Sequence, residues 1–159
     1  MIVNVLSLFA TLILVRLLII SDLNVDYVAH YTSIETPFFY KITALWAGQS
    51  GSLLFWQAVL SFYCLFVVFQ NKSKHGHFMP WVFIILNIVQ LFFLLLTNFI
   101  TNPFKPTETD FILVNGLGLN PLLQNVTMAI HPPTLYLGFV GFTVPFAFVF
   151  AGLLQGNSN

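Results

Sequence analysis

His131 is the residue of this chain whose surroundings best suit a metal-binding role, because a short apolar segment precedes it and Pro132-Pro133 follow it. An imidazole nitrogen is a common ligand of zinc and of haem iron, and proline has no backbone N–H that would compete for the ring. The same position also suits an ordinary histidine that caps a helix. His30 stands alone in a loop, whereas His75 and His77 share a short polar turn. We expect these three to be solvated side chains, and the pair lacks further nearby ligands for zinc.

Two tryptophans bracket a turn rich in glycine and serine in the run Trp46–Trp56, which reads WAGQSGSLLFW. Tryptophan rings gather where a membrane helix meets water, so one interpretation is an aromatic belt with a loop that enters a helix. The other interpretation is a flat aromatic surface for a large planar apolar ligand, such as a porphyrin or a quinone. The run by itself leaves both interpretations open.

A second dense segment extends from Leu119 to Pro133 and reads LNPLLQNVTMAIHPP. From Pro121 onwards its apolar residues are spaced as in a short helix that lies on a membrane surface. Asn120 is a typical N-cap residue, and proline suits the first turn of a helix. We predict that Pro132 and Pro133 end this short helix and begin the next element.

The chain that positions these residues has 159 residues, of which 58% are hydrophobic and only 6% are charged. Soluble domains carry about 25% charged residues, and the mean hydropathy here is +0.89, so a soluble cytosolic enzyme is excluded. Five basic and five acidic residues give a net charge of zero, which leaves no basic field for binding nucleic acid. The single cysteine, Cys64, excludes an internal disulfide and any site that needs several cysteines.

Four apolar runs are long enough to cross a bilayer, which needs about 20 residues of helix. They predict an all-α membrane protein with spans at about residues 2–20, 52–70, 80–100 and 134–154. Pro145 falls inside the fourth span and is expected to kink it. Gly138 and Gly141 lie three residues apart in the same span, which predicts a flat face for packing against another helix.

Ionisable residues do not occur in the middle of the predicted spans, and only Arg16 comes near. A proton pump or a transporter needs such groups at membrane depth, so the sequence argues against pumping. The polar residues within the second and third spans are Gln57, Ser61, Asn87 and Gln90. We expect them to form hydrogen bonds to neighbouring helices.

The three segments between the spans differ in charge. Asn71–Met79 carries Lys72 and Lys74 and no acidic residue, whereas the long loops 21–51 and 101–133 each carry one lysine and several acidic residues. Cytoplasmic loops of membrane proteins are enriched in lysine and arginine. The sequence therefore predicts that Asn71–Met79 and both termini are cytoplasmic, or on the matrix side in a mitochondrion. The two long loops are then on the outer face.

In these segments the sequence resembles the CcmF-type cytochrome c maturation proteins, a family that includes the CycK and NrfE forms. Three stretches carry the resemblance: Trp46–Trp56, Asn102-Pro103-Phe104, and the run from Leu119 to Phe142 that contains LNPLLQ and HPPTLYLGFVGF. Weaker agreement extends it to about residues 22–154. The resemblance identifies residues 1–159 as the N-terminal part of a polytopic CcmF-type membrane domain.

The resemblance implies a subunit of a membrane haem lyase that functions in cytochrome c biogenesis. Such proteins receive b-type haem on the outer face from the haem chaperone CcmE and attach it to the Cys-x-x-Cys-His motif of apocytochrome c, beside a CcmH-type subunit that handles the thiols. His131 matches the first of two outer-face histidines that hold this haem, as an axial ligand of its iron. The positions expected to support it are Trp46, Trp56, Asn120, Pro121, Gln124, Pro132, Pro133, Tyr136, Gly138 and Gly141.

The chain departs from the family pattern at several positions. Gln49-Ser50 stands where many members have His-Glu, and Gly118 and Asn125 stand where they have Asp. The tryptophan-rich loop of the family, its second outer histidine and a span that usually precedes Ile2 are not found in these residues. The expected partner is therefore the remaining portion of the CcmF-type protein, in a bacterial inner membrane or a mitochondrial inner membrane. We expect no lyase activity from these residues alone and assign no catalytic residue.

A function of a different class fits the same composition. The chain would then be a non-catalytic subunit of a respiratory or transport complex that uses its aromatic loops to bind quinone or lipid. The two hypotheses differ at His131, which binds iron only in the first.

Overall fold

The computed structural model describes residues 1–71, 78–108 and 113–156. Along this part of the chain the α-helices are α1 (Ile2–Ile20), α2 (Asp26–Tyr31), α3 (Phe38–Thr43), α4 (Gln49–Gln70), α5 (Met79–Leu95), α6 (Val126–Gly141) and α7 (Thr143–Leu154). Short 3₁₀ turns lie at Ala44–Trp46 and Pro121–Leu123, and a π turn at Leu96–Ile100 continues α5. Strand pairing among the described residues is limited to one isolated bridge between Val25 and Pro106. The all-α prediction is therefore confirmed.

Four helical segments of the described chain are long and apolar enough to cross a membrane: Ile2–Ile20, Gln49–Gln70, Met79–Ile100 and Val126–Leu154. The chain is a multi-pass membrane protein. The first three segments begin and end within three residues of the predicted spans. Of the four, α4 is the most buried. In its most apolar stretch 44% of the residues are buried inside the protein, compared with 17% in the α6–α7 segment.

The fourth span begins earlier than the sequence predicted. α6 starts at Val126, and the segment from Pro121 forms only one 3₁₀ turn. The Pro132-Pro133 pair lies inside α6, so the prediction that these prolines separate a surface helix from the span is wrong. An interior proline removes one backbone hydrogen bond and crowds the carbonyl four residues earlier, but its φ is helical, and α6 continues through both prolines here. The earlier start is capped by Asn125, whose side chain accepts a hydrogen bond from the Thr127 amide at 2.8 Å.

The fourth span is interrupted at Phe142, which separates α6 from α7. Pro145 lies three residues further on and has no N–H to donate to the carbonyl of Gly141. The interruption that the sequence predicted from Pro145 is therefore found, about one turn before the proline.

An apolar core joins α4 and α5 to the fourth span. Leu60 of α4 and Leu86 of α5 are among its fully buried members, and Ala147 and Ala151 bring α7 close to them. Lipid tails are as apolar as these side chains, so close van der Waals packing, favoured by small residues, holds membrane helices together.

Polar side chains add hydrogen bonds between three of the spans. Gln90 of α5 donates to Asn4 of α1 and to Ser61 of α4, the second bond at 2.9 Å. Gln57 of α4 donates to Ser7 of α1 at 3.3 Å. The predicted role of Gln57, Ser61 and Gln90 in joining helices is confirmed.

Asn87 behaves differently from the other polar residues of the spans. Its exposed side chain donates to the carbonyl of Phe83 in its own helix at 2.6 Å. The prediction of a bond to another helix is wrong at this position, because a side-chain amide can reach the carbonyl one turn earlier.

The two long loops pack against each other at one end of the spans. Backbone hydrogen bonds join Asp26 N to Lys105 O at 2.9 Å, Thr107 N to Asn24 O at 2.9 Å and Leu117 N to Ala29 O at 2.8 Å. Asn115 also donates to Glu35 at 2.7 Å, and this bond lowers the pKa of the Glu35 carboxyl below its usual range. Both loops therefore lie on the same side of the membrane helices, as the alternation of spans requires.

The C-terminal half of α1 packs against these two long loops. Leu14 and Leu18 are fully buried and belong to one apolar cluster with Val28 of α2, Leu45 and Leu119. The first helix therefore both spans the membrane and packs against the two long loops.

The opposite side of the membrane lies largely outside the described residues. Lys72, Lys74, His75 and His77 are not among the described residues. Asp110 of the second long loop is not among them either.

Candidate functional site

Five aromatic rings form a continuous row that runs from the 3₁₀ turn Ala44–Trp46 across α4, α5 and α6. The distances between ring centroids along the row are 5.4 Å from Trp46 to Phe55, 5.6 Å from Phe55 to Tyr136, 5.5 Å from Tyr136 to Trp56 and 5.3 Å from Trp56 to Phe93. Aromatic pairs at these separations contribute about 0.5–1.5 kcal/mol beyond the area they bury. The structure therefore brings together three of the predicted supporting residues, Trp46, Trp56 and Tyr136.

The rings of this aromatic row contact one another and do not form an open platform. Trp46 and Trp56 are both half-buried. One face of Trp56 stacks on Phe93 at an interplanar angle of 20°, and Tyr136 meets Trp56 in an edge-to-face arrangement. A planar ligand would have to displace these contacts. The structure favours the aromatic belt for the Trp46–Trp56 run over a free surface for porphyrin or quinone.

The turn inside this run is built on Tyr27 of α2. The Tyr27 hydroxyl donates to the Ala44 carbonyl at 2.9 Å and accepts from the Gly48 N–H at 3.0 Å. Burial raises the pKa of this hydroxyl, which keeps it protonated and able to donate. At Gly51 a Cβ atom would stand 2.1 Å from the Leu45 carbonyl oxygen and 2.3 Å from the Tyr27 hydroxyl oxygen. Only glycine allows this close approach, so the turn depends on it.

The second long loop is shaped by its own amide side chains. Asn120 accepts a hydrogen bond from the Leu122 N–H at 2.9 Å, which confirms its predicted capping role ahead of Pro121. Gln124 donates to the Leu119 carbonyl at 2.9 Å. These predicted supporting residues therefore act on the backbone that leads into α6.

Gly118 and Asn125 also serve the backbone of this loop. Gly118 has a φ of +81°, which glycine adopts without strain. Asn125 caps α6, a role that Asn and Asp fill equally well.

His131 lies in the second turn of α6, and its side chain is exposed. Within the described parts of the chain, its ring makes no hydrogen bond and no ion pair with another residue. A helix turns about 100° per residue, so Leu135 and Gly138 share the side of His131, whereas Tyr136 points about 140° away. His131 therefore faces the open side of α6, and Tyr136 faces the aromatic row.

The backbone around His131 is constrained by its neighbours. Pro132 and Pro133 cannot donate to the carbonyls of Met128 and Ala129. The hydroxyl of Thr134 donates to the His131 carbonyl at 2.8 Å. The imidazole is thus carried on a fixed backbone, while its own nitrogen atoms are left for an external group.

The two glycines of α6 have different surroundings. A Cβ at Gly141 would lie 3.4 Å from the hydroxyl oxygen of Tyr63, which donates to the Leu137 carbonyl at 2.9 Å. A Cβ at Gly138 would meet no atom within 4 Å. Only Gly141 serves the predicted packing between helices, and Gly138 leaves open space on the side of His131.

His30 is an exposed side chain, as predicted, but it lies in the last turn of α2 and not alone in a loop. Its Nδ1 lies 2.8 Å from the Asp26 carbonyl oxygen and 3.4 Å from the Asp26 carboxylate. In residues 1–71, 78–108 and 113–156, no group of three or more His, Cys, Asp or Glu side chains could hold a metal ion.

The sequence did not mark Tyr27 and Phe93, although both position the candidate site. Their partners, Gly48 and Trp56, are far from them in the chain. Phe93 is one of 19 phenylalanines, and no spacing distinguishes it. The sequence signal that could have indicated Tyr27 is the presence of Gly48 and Gly51, because glycine allows a bulky side chain to approach this turn closely.

Comparison with known proteins places these residues in a family. Residues 46–159 match the family described as Cytochrome C assembly protein, a range that contains the Trp46–Trp56 run and His131. The chain belongs to this family. It is 38% identical to the cytochrome c-type biogenesis protein CcmF of Escherichia coli (strain K12) over 93% of its length. It is 36% identical to CycK of Bradyrhizobium diazoefficiens over 91% and 34% identical to NrfE of Haemophilus influenzae over 87%.

The relatives are much longer than this chain. The matched region is 23% of the Escherichia coli protein and 22% of each of the other two. The chain thus spans less than a quarter of the length of the curated relatives it matches. No solved structure matches it.

Proposed function

We propose that this chain functions in cytochrome c biogenesis by presenting His131 as an axial ligand for haem on the outer face of the membrane. The observation that carries the proposal is the exposed imidazole of His131 on the open side of α6, unpaired among the described residues. Histidine is a common axial ligand of haem iron. The relatives are named cytochrome c-type biogenesis proteins.

The open side of α6 suits a large apolar ring next to this imidazole. Leu135 and Phe139 are exposed there, and Gly138 leaves space two turns beyond His131. Haem is the substrate in this proposal and supplies the vinyl groups that react with the cysteine thiols of the cytochrome. This chain holds the iron through one nitrogen and offers the porphyrin an apolar wall.

The remaining parts of the reaction are assigned to partners. The remaining portion of the CcmF-type protein supplies the second axial ligand and closes the site. A CcmE-type chaperone delivers the haem, and apocytochrome c receives it at a Cys-x-x-Cys-His motif with the help of a CcmH-type subunit. The surrounding membrane lipid completes the set of partners.

The test is to replace His131 with Ala in the protein co-expressed with its remaining portion. We expect the haem content of the purified complex, measured from its absorption spectrum, to fall at least about tenfold at the outer site, because a porphyrin without its iron ligand keeps only apolar contacts. The amount of protein in the membrane should not change, since His131 is exposed and stabilises no neighbour.

His30→Ala is the matched control, because His30 is an exposed histidine on the same side of the membrane, and it should retain the haem. Full haem content in His131→Ala would exclude the ligand role. It would instead favour the structural subunit of a respiratory or transport complex.

We also propose that the two long loops face the periplasm or the intermembrane space, with both termini in the cytoplasm or matrix. The support is the charge bias of the Asn71–Met79 segment. In a Cys64→Ala background, a membrane-impermeant maleimide should modify Ile34→Cys and Leu117→Cys in intact cells and should spare Ser73→Cys. Ile34 and Leu117 are 67% and 80% exposed, so access is limited only by the membrane. Labelling of residue 73 alone would mean that the orientation is inverted.

A further inference from the structure

A cleft of about 350 Å³ lies between α1, α4 and the end of α5. Its lining is mainly apolar and includes Leu6, Ala10, Leu54 and Leu94. Leu6 is 59% exposed on the outside of α1, and Asn102, Pro103 and Phe104 of the second long loop also line the cleft. The cleft is on a different face of α4 from the aromatic row and from α6.

Gln57 lines this cleft and is fully buried. Its Nε2 donates to Ser7 Oγ at 3.3 Å, and the Ser7 hydroxyl donates in turn to the Val3 carbonyl at 2.9 Å. Because the Ser7 hydroxyl has already donated its proton, it can only accept from Gln57, which fixes the orientation of the amide.

The Oε1 atom of Gln57 has no hydrogen-bond partner. Among the buried side-chain nitrogen and oxygen atoms of the described residues, it is the one left unsatisfied. A buried acceptor without a donor is costly, and no bulk water is present at membrane depth to satisfy it. Gln57 Oε1 is therefore a buried acceptor without a donor beside a mainly apolar cleft, which Thr97, Asn98 and Asn102 also line.

We propose that this cleft binds an uncharged, lipid-soluble molecule whose hydroxyl group donates a hydrogen bond to Gln57 Oε1. A molecule that only accepts hydrogen bonds, such as a ketone or an ether, cannot satisfy this oxygen, because the Nε2 group is committed to Ser7. A charged amine is excluded by the cost of leaving water for an apolar space. The ligand class is therefore a phenol or an alcohol that reaches the cleft through the bilayer. This site is independent of the haem site proposed at His131.

The test uses the full chain in lipid nanodiscs with two probes that differ only in the donor: 3-fluoro-4-hexylphenol and its methyl ether. We expect ¹⁹F NMR to show saturable binding of the phenol with a Kd about five- to tenfold lower than that of the ether, the effect of one hydrogen bond. In protein labelled with ¹³C-glutamine, the phenol should shift the side-chain carbonyl resonance of Gln57. The other five glutamines should not move.

Gln57→Met should abolish the preference for the phenol, and the remaining glutamine resonances report whether this variant folds. Leu94→Trp keeps Gln57 but fills the cleft, and it should abolish binding of both probes. Asn87→Leu is the matched control, because Asn87 is a polar residue outside the cleft, and it should bind as the parent does. Equal affinity for phenol and ether in the parent, or a preference that survives in Gln57→Met, would overturn the proposal.

Discussion

Expressed as the only lyase component in cells that lack their own, the 159-residue chain is expected to produce no holocytochrome c above background. The chain offers one unpaired imidazole on the open side of α6, and the described residues contain no group of three or more His, Cys, Asp or Glu side chains that could hold a metal ion. A haem held at one axial position can still turn about that bond, so its two vinyl groups are not held against two thiols. Loss of such orientation removes the largest part of the advantage of an intramolecular reaction.

Co-expression of the remaining portion of the CcmF-type protein should restore holocytochrome c to the level that a full-length protein of this family produces. The measurement is haem staining of a reporter cytochrome c after electrophoresis. A strain with the remaining portion but without this chain is the control, and it should also be inactive. Holocytochrome formed with this chain as the sole lyase component would contradict the division of the site between the two parts.

Gly51→Ala is expected to destabilise the fold by about 2–6 kcal/mol. The added methyl group would overlap the Leu45 carbonyl oxygen and the Tyr27 hydroxyl oxygen, at 2.1 Å and 2.3 Å. Relief of this overlap costs about 1–3 kcal/mol in overpacking, and a displaced Tyr27 leaves buried groups unpaired at a further cost of about 1–3 kcal/mol. The measurement is the midpoint of unfolding of the purified protein in mixed micelles at increasing denaturing detergent.

Gly138→Ala is the matched control for this prediction. Gly138 is also a helical glycine, but a Cβ there meets no atom within 4 Å. Its replacement should leave stability unchanged or raise it by up to about 1 kcal/mol, since alanine is the better helix former. If the two variants had equal stability, the close contact at Gly51 would not be what builds the turn between the tryptophans.

The aromatic row determines the direction in which α6 presents His131. Tyr136 is fixed between Phe55 and Trp56 on one side of α6. Because α6 is a rigid helix, this contact also fixes the rotation of its opposite side, where His131 lies. In this proposal the tryptophans act on haem binding by orienting α6.

Composition and local pattern determined the parts of this protein that depend on one segment at a time. The charged fraction and the length of the apolar runs fixed the membrane class and the first three spans, because partition into lipid depends on about 20 consecutive residues. The capping role of Asn120 and the interruption near Pro145 also follow from single residues and their nearest neighbours.

Only the tertiary structure decided which distant residues meet. The pairing of Gln90 with Asn4, the close approach of Tyr27 to Gly51 and the different surroundings of Gly138 and Gly141 all depend on how the helices pack. The start of α6 at Val126 was also beyond the local pattern, because a proline pair ends a helix in some contexts and lies within one in others. His131 was found from the sequence, but the side of α6 that it faces was set by the contacts of Tyr136, which no local pattern contains.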